Sequence, residues 1–209
     1  PWHKLDVVTY SWQKAMGGEA GFGMILLGPR AAERLESFTP PWPIPKLFRL
    51  AKKQKIIEGI FRGATINTIS MLAIEDALDA LRWVESIGGG PGMVARAEAN
   101  FAVIDAWVAR TPWVEFLARD PATRSRSSLC LSITEDWFAA LEESARWDIV
   151  GTFTKMLEAE GAAFDIATHR AASPGLRIWS GGTVEESDLE KLLPWLDWAW
   201  SEIRAKHAV

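Results

Sequence analysis

Three consecutive glycines, Gly88-Gly89-Gly90, separate two long stretches of helical periodicity, and they do most to limit how this chain can fold. Upstream, Ile69, Leu72, Ala73, Ala77, Leu81 and Val84 fall on one stripe of a helix beginning near Thr68. Downstream, Pro91 suits the first turn of a helix, and Met93, Ala97, Phe101, Ile104 and Val108 form a second stripe running to about Ala109. Glycine stops the first helix because it readily takes the left-handed backbone that closes a helix C-terminus.

Around these helices the pattern is mixed. Val7, Val8, Thr9 and Tyr10 are β-branched or aromatic and predict a strand. Residues 22–27 are short and largely apolar and predict a second strand, of the kind covered on both faces. Pro29 then opens a helix to Ser37. Residues 38–66 hold Pro40, Pro41, Pro43 and Pro45, followed by Lys52-Lys53-Gln54-Lys55. So long a proline-studded stretch in a compact protein points to function or to contact with another surface. Residues 127–133, 163–167 and 176–179 predict further strands, and residues 136–160 are mainly helical. Thr183-Val184-Glu185-Glu186 has the form of a capping box, opening a helix with the stripe Leu189, Leu192, Leu193, Leu196 and Trp200 and with Pro194 inside it. The expectation is an α/β chain with a boundary at the glycine run, residues 1–90 in one domain and 91–209 in a smaller one.

Composition narrows the function classes. The 209 residues are 48% hydrophobic, enough for a buried core. The net charge of −4 comes from interspersed acids and bases, so the clustered Lys and Arg of a nucleic-acid-binding face are not expected. The one cysteine, Cys130, permits no disulfide within the chain, as in a reducing cytoplasm, and between Leu129 and Leu131 it is expected to be a small buried hydrophobe. Apolar runs such as residues 24–27 are too short to span a bilayer, and no cleavable signal pattern opens the sequence. His3 and His207 lack ligand partners at useful spacing, so no metal is expected.

Lys14 is the most informative position. It follows a strand and Ser11-Trp12-Gln13, and it precedes Gly17 and Gly18, which let the backbone approach another group closely. A partly desolvated lysine can condense with an aldehyde. Taken alone, the pattern is that of a surface lysine at a strand end. The whole string from Asp6 to Glu19, with Ser-Trp-Gln-Lys followed by Gly-Gly-Glu, resembles the cofactor-lysine segment of the phosphoserine aminotransferases, which use pyridoxal 5′-phosphate (PLP). The proline-rich stretch, the run from Gly63 to Thr68 and the run from Pro174 to Trp179 fit the same group in the same order, so the resemblance covers essentially the whole chain.

The resemblance implies the end of the large PLP-binding domain of a fold type I aminotransferase, followed by the small C-terminal α/β domain. It implies that Lys14 binds PLP covalently, that Gln13 hydrogen-bonds the cofactor phosphate, and that Asn67 and Thr68 reach across a homodimer interface to the partner's PLP phosphate. Without it, Asn67 and Thr68 read as caps of the long helix. It further implies that Arg177 binds the substrate α-carboxylate and that His169 and Arg170 bind the phosphate of phosphoserine. The substrates would be glutamate and 3-phosphohydroxypyruvate, in serine and pyridoxine biosynthesis. Arg124, Ser125 and Arg126 form the other dense cationic spot and read as a solvated strand entry.

In this family the acid that pairs with the pyridine nitrogen lies further upstream of the lysine than this chain extends. Asp6, on the same strand as Lys14, is too close to serve. With no initiator Met and a strand almost at once, the expectation is the second half of an enzyme, as a proteolytic fragment or one piece of a nicked protein, inactive by itself. Competing readings are an alanine–glyoxylate transaminase, a cysteine desulfurase, for which Cys130 is a poor nucleophile, and a non-catalytic dimerisation module.

Overall fold

The computed structural model describes residues 1–207. The chain forms two compact units, Pro1–Trp83 and a second from Val84 on. The division falls within the long helix Met71–Ser86, ahead of the glycine run.

In the first unit, β1 (Val7–Ser11) and β2 (Gly23–Leu27) pair antiparallel, with Val7 opposite Leu27 and Tyr10 opposite Met24. Gly23 has to be glycine: a Cβ there would lie 2.4 Å from the Tyr10 carbonyl oxygen. Helix α1 (Pro29–Ser37) starts on its proline, where no amide donor is missed. The proline-rich stretch leads to a small hairpin, β3 (Ala51–Lys52) and β4 (Lys55–Ile56), which turns through Lys53 and Gln54 in left-handed conformations at φ 51° and 57°. A 3-10 turn, Glu58–Arg62, precedes α2 (Met71–Ser86). The core of this unit is small: Trp12, Ala73 and Ala77, with Phe22 stacked on Trp12 at 5.9 Å.

The expectation that residues 22–27 are covered on both faces does not hold within this unit. Met24, Ile25 and Leu26 are exposed, as are Val7 and Tyr10 on the paired strand. The apolar run resembles a buried strand because its composition is that of one. Burial, however, needs a second layer, and a two-stranded sheet has none of its own.

The second unit holds α3 (Gly89–Arg110), β5 (Val114–Phe116), β6 (Ser128–Ile133), α4 (Asp136–Ala139), α5 (Glu143–Ala159), β7 (Gly175–Trp179) and α6 (Glu186–His207). The three strands form an antiparallel sheet in the order β5-β6-β7. Period-two alternation sends Val114, Phe116, Leu129, Leu131, Leu176 and Ile178 to one face, where they join a core supplied by α3, α5 and α6. That core is rich in rings. Trp113 stacks on Trp200 at 5.0 Å, and Trp200 stacks on Trp137 at 5.7 Å. The buried indoles of Trp107 and Trp113 both donate to the Asp197 carboxylate.

Two expectations are corrected here. Residues 163–167 form no strand; one bridge, Ala167 to Leu176, is all the pairing they make, because Asp165 takes a left-handed φ of 52° that breaks an extended run. The capping box at Thr183 does not form either. Helix α6 starts at Glu186, after a turn in which the Val184 amide donates to the Gly181 carbonyl, and the Glu185 carboxylate is taken by Arg96 at 2.6 Å.

That turn is tied to α3 by Asn100, whose buried amide nitrogen donates to the carbonyls of Ser180, Gly181 and Val184 at 3.2, 3.0 and 2.9 Å. Asn100→Ala removes the donor and leaves these acceptors short of a partner. It is expected to lower the stability of this unit by about 1–3 kcal/mol in urea unfolding.

Candidate functional site

Lys14 lies in the loop between β1 and β2, and the loop is held from below. Trp12 is 7% exposed and packs on Ala73 and Ala77 of α2. Its amide donates to the Phe22 carbonyl, and its carbonyl accepts the Gly18 amide at 2.9 Å. A Cβ at Gly18 would meet the Trp12 Cβ at 3.2 Å, which explains a small residue there. The next turn closes with the Gly17 amide on the Lys14 carbonyl, also at 2.9 Å. The buried indole is thus the fixed point from which Gln13 and Lys14 emerge. Both side chains are exposed, and the Lys14 amine has no ion pair among the described residues, so the partial desolvation expected for it is not provided within this unit. Asp6, the one acid upstream of Lys14 in the chain, is held by Arg30 at 2.6 Å.

Asn67 and Thr68 stand just ahead of α2, and neither caps it. The cap is Ser70, whose Oγ accepts the Ala73 amide at 3.4 Å. The Asn67 carbonyl accepts the Thr65 hydroxyl at 2.7 Å, which shapes the approach to the helix. The side chains of Asn67 and Thr68 are exposed and make no hydrogen bond among the described residues. The capping reading of this pair is therefore corrected: a serine nearer the helix takes that role, which leaves the amide and hydroxyl free.

In the second unit, Arg177 sits at the middle of β7, opposite Cys130 of β6. Leu176 and Ile178 turn into the core, so Arg177 faces the other side of the sheet, where its Nη2 meets Asp165 Oδ2 at 3.1 Å. Its amide donates to the Ile166 carbonyl at 2.7 Å. Cys130 shares that outer face and is half-buried, so the expectation of a buried cysteine between leucines is corrected. Its two neighbours are buried because they point the opposite way.

His169 and Arg170 lie in the loop just before β7 and are both exposed. The His169 Nδ1 accepts the Ala171 amide at 3.2 Å, so a neutral ring carries its hydrogen on Nε2. Arg124 and Arg126 are not the solvated strand entry expected of them. Arg124 donates to the Ala118 carbonyl, pairs with Asp105 and covers the Phe116 ring at 4.3 Å. Arg126 pairs with Glu98 and covers Phe101 at 4.0 Å. Both bind the strand entry to α3.

The candidate residues therefore fall into two sets, Gln13, Lys14, Asn67 and Thr68 in one unit and His169, Arg170 and Arg177 in the other. Asp165 is the residue that sequence reasoning missed, because nothing in the periodicity marks a left-handed aspartate inside an apparent strand. Ser70 was missed although a serine ahead of an apolar stripe is an N-cap signal. No group of side chains among the described residues could hold a metal ion, and no described helix is long and apolar enough to cross a membrane.

No protein-family model matches the chain. The chain is 48% identical over 204 residues to the phosphoserine aminotransferase of Methanosarcina mazei, covering 98% of this chain and 52% of that protein. Among solved structures, phosphoserine aminotransferase from Bacillus circulans subsp. alkalophilus superposes with a TM-score of 0.71 at 16% identity, covering 97% of this chain and 49% of that one. PLP-bound phosphoserine aminotransferase from Trichomonas vaginalis gives 0.72 at 18% identity, covering 94% and 49%. The structures speak for the fold, a mixed α/β arrangement corresponding to about half of a fold type I aminotransferase. The curated relative shows a similarity in sequence that runs along nearly the whole chain. The chain spans about half the length of the relatives it matches, and over nearly all of its own length it is similar to phosphoserine aminotransferases.

Proposed function

We propose that this chain is the lysine-bearing half of a PLP-dependent phosphoserine aminotransferase, in which glutamate gives its amino group to 3-phosphohydroxypyruvate to form 2-oxoglutarate and phosphoserine. The observation that carries this reading is the 48% identity to a phosphoserine aminotransferase along 98% of the chain. Serine biosynthesis in the cytoplasm is the setting proposed for it.

The residues fit the cofactor in part. An exposed, unpaired amine on a turn fixed by a buried indole suits an aldehyde. The free amide and hydroxyl of Asn67 and Thr68 suit a phosphate, which we propose they offer to a second copy of the protein, as Gln13 offers its amide within the same copy. Asp6 is bound to Arg30 and does not serve as the acid for the pyridine nitrogen; that acid is proposed to lie in the part of the relatives' length that this chain does not span. When bound, PLP supplies an electron sink for the electrons of a broken Cα–H bond.

The chain's own groups do the rest. The Lys14 amine would hold the cofactor and would carry the proton taken from the substrate Cα. The Arg177 guanidinium grips the α-carboxylate and so fixes the direction of the Cα–H bond. His169, through Nε2–H, and Arg170 offer donors to the substrate phosphate, the group that separates this substrate from those of alanine–glyoxylate transaminases.

The test is borohydride trapping. PLP is titrated into the 209-residue chain, and into protein that also contains the missing half; each is then reduced and peptide-mapped. Label on Lys14 in the complete protein, lost in Lys14→Ala, supports the reading, and label on another residue overturns it. The chain by itself is expected to show no transaminase turnover, and turnover by it would overturn the proposal that it is half of the site.

A further inference from the structure

The guanidinium proposed to bind the substrate carboxylate already has a carboxylate on it. Arg177 Nη2 donates to Asp165 Oδ2 at 3.1 Å, the one ion pair the arginine makes among the described residues. The backbone fixes the two residues as neighbours. The Arg177 amide donates to the Ile166 carbonyl at 2.7 Å, Ala167 bridges to Leu176, and the Thr168 amide donates to the Gly175 carbonyl at 3.1 Å. Ile166 is buried in the core. The segment carrying Asp165 is therefore stitched along β7, and the aspartate side chain projects from it into solvent.

The aspartate is held in an unusual way. Its φ of 52° is left-handed, a conformation that aspartate tolerates better than most residues. That twist turns it out of the line of residues 163–167, and its side chain is 89% exposed while that of Arg177 is 37% exposed. The contact is single, through one guanidinium nitrogen and one oxygen, so Nε and Nη1 remain open to a second acceptor. A substrate carboxylate seeking a two-point grip needs two of the three nitrogens, and it meets the charge of Asp165 as it arrives.

We infer that Asp165 is an internal stand-in for the substrate carboxylate: it occupies Arg177 in the free protein and is displaced when substrate binds. The inference rests on the reading of Arg177 as the carboxylate-binding residue. Asp165 sets how strongly carboxylates are held, without touching the reacting atoms. An ion pair this exposed is weak, so the competition is mild, about two- to fivefold in affinity. Such an occupant keeps the guanidinium from pairing with other anions while yielding to a ligand that offers two oxygens and further contacts.

The experiment titrates sodium glutamate into the full 209-residue chain and follows the Arg177 Nε–Hε resonance, assigned by its loss in Arg177→Lys. Asp165→Asn keeps an oxygen acceptor for Arg177 and removes the charge; Asp165→Ala removes both. Tighter glutamate binding in both variants, by about two- to fivefold, with thermal unfolding as in the parent, is the expected result. A purely structural role for Asp165 would not raise affinity. Equal binding in parent and variants, or weaker binding in the variants, overturns the inference and leaves Arg177 as the carboxylate site. If glutamate moves the Arg177 resonance in none of the proteins, the reading of Arg177 itself fails, and the inference fails with it.

Discussion

Replacing Lys14 with alanine in the complete enzyme is expected to lower transamination by about 10²–10⁴-fold, the range associated with loss of a positioned acid–base group. The proposed function asks two things of the residue, to anchor the cofactor and to move a proton, so either loss suffices. The geometry makes the experiment clean. Lys14 is exposed and its side chain holds nothing else in place, whereas the fold of the loop depends on Trp12, on Gly18 and on the Lys14 carbonyl, which alanine retains. The variant should therefore unfold at the same urea concentration as the parent. Unchanged turnover with unchanged stability would remove Lys14 from the catalytic role. Loss of turnover together with loss of fold would instead mean that the side chain supports the loop, and Lys14→Arg, which keeps the length and charge, would separate the two.

The second large effect lies in the core of the other unit. Trp200→Ala is expected to cost about 3–5 kcal/mol, the usual range when a fully buried large aromatic is truncated. Trp200 is 1% exposed and stands at the centre of the ring cluster, against Trp113, Trp137, Phe138 and Phe153. Its indole nitrogen donates to Glu135 at 3.3 Å, so truncation also strips a partner from a largely buried carboxylate. Set against a typical domain stability of about 5–15 kcal/mol, this is a large fraction of what holds the unit folded. Two units need not unfold together, so the measurement is best read from near-ultraviolet circular dichroism of the tryptophan cluster. Trp195→Ala, on the outer side of the same helix and packed edge-on to Trp198, is expected to cost about 1 kcal/mol. Equal losses at the two positions would mean that the ring cluster is not the centre of the core.

Much of this molecule is legible along the chain because the forces that fix it are local and periodic. The stripe from Leu189 to Trp200 is buried as its spacing demands, and β7 runs through Leu176 and Ile178 as the apolar alternation predicts. The string around Lys14 is specific enough to point to a resemblance without any structure, and the 48% identity to a relative extends well beyond it, over 204 residues. Sequence fails where position depends on something distant in the chain. Thr183 and Glu186 match a capping box, yet no such bond forms, and the turn ahead of α6 is held instead by Arg96 and Asn100 on α3. Arg124 and Arg126 look like free surface charge, yet each finds an acid and a ring on α3 or the sheet beside it.

By itself, then, the sequence determined the α/β class, the helices on either side of the glycine run and the likeness to phosphoserine aminotransferases from which the candidate site residues are proposed. Propensity, periodicity and motif spacing are properties of neighbours along a chain. Only the tertiary structure decided that Trp12 is the buried anchor beneath Lys14, that Ser70 frees Asn67 and Thr68 from capping, that Cys130 faces outward beside Arg177, and that Asp165 occupies that arginine. Each of those outcomes depends on which face of a strand or which turn of a loop meets a residue from elsewhere. A one-residue change of face or a single left-handed backbone angle, neither of which a periodic pattern records, is enough to decide it.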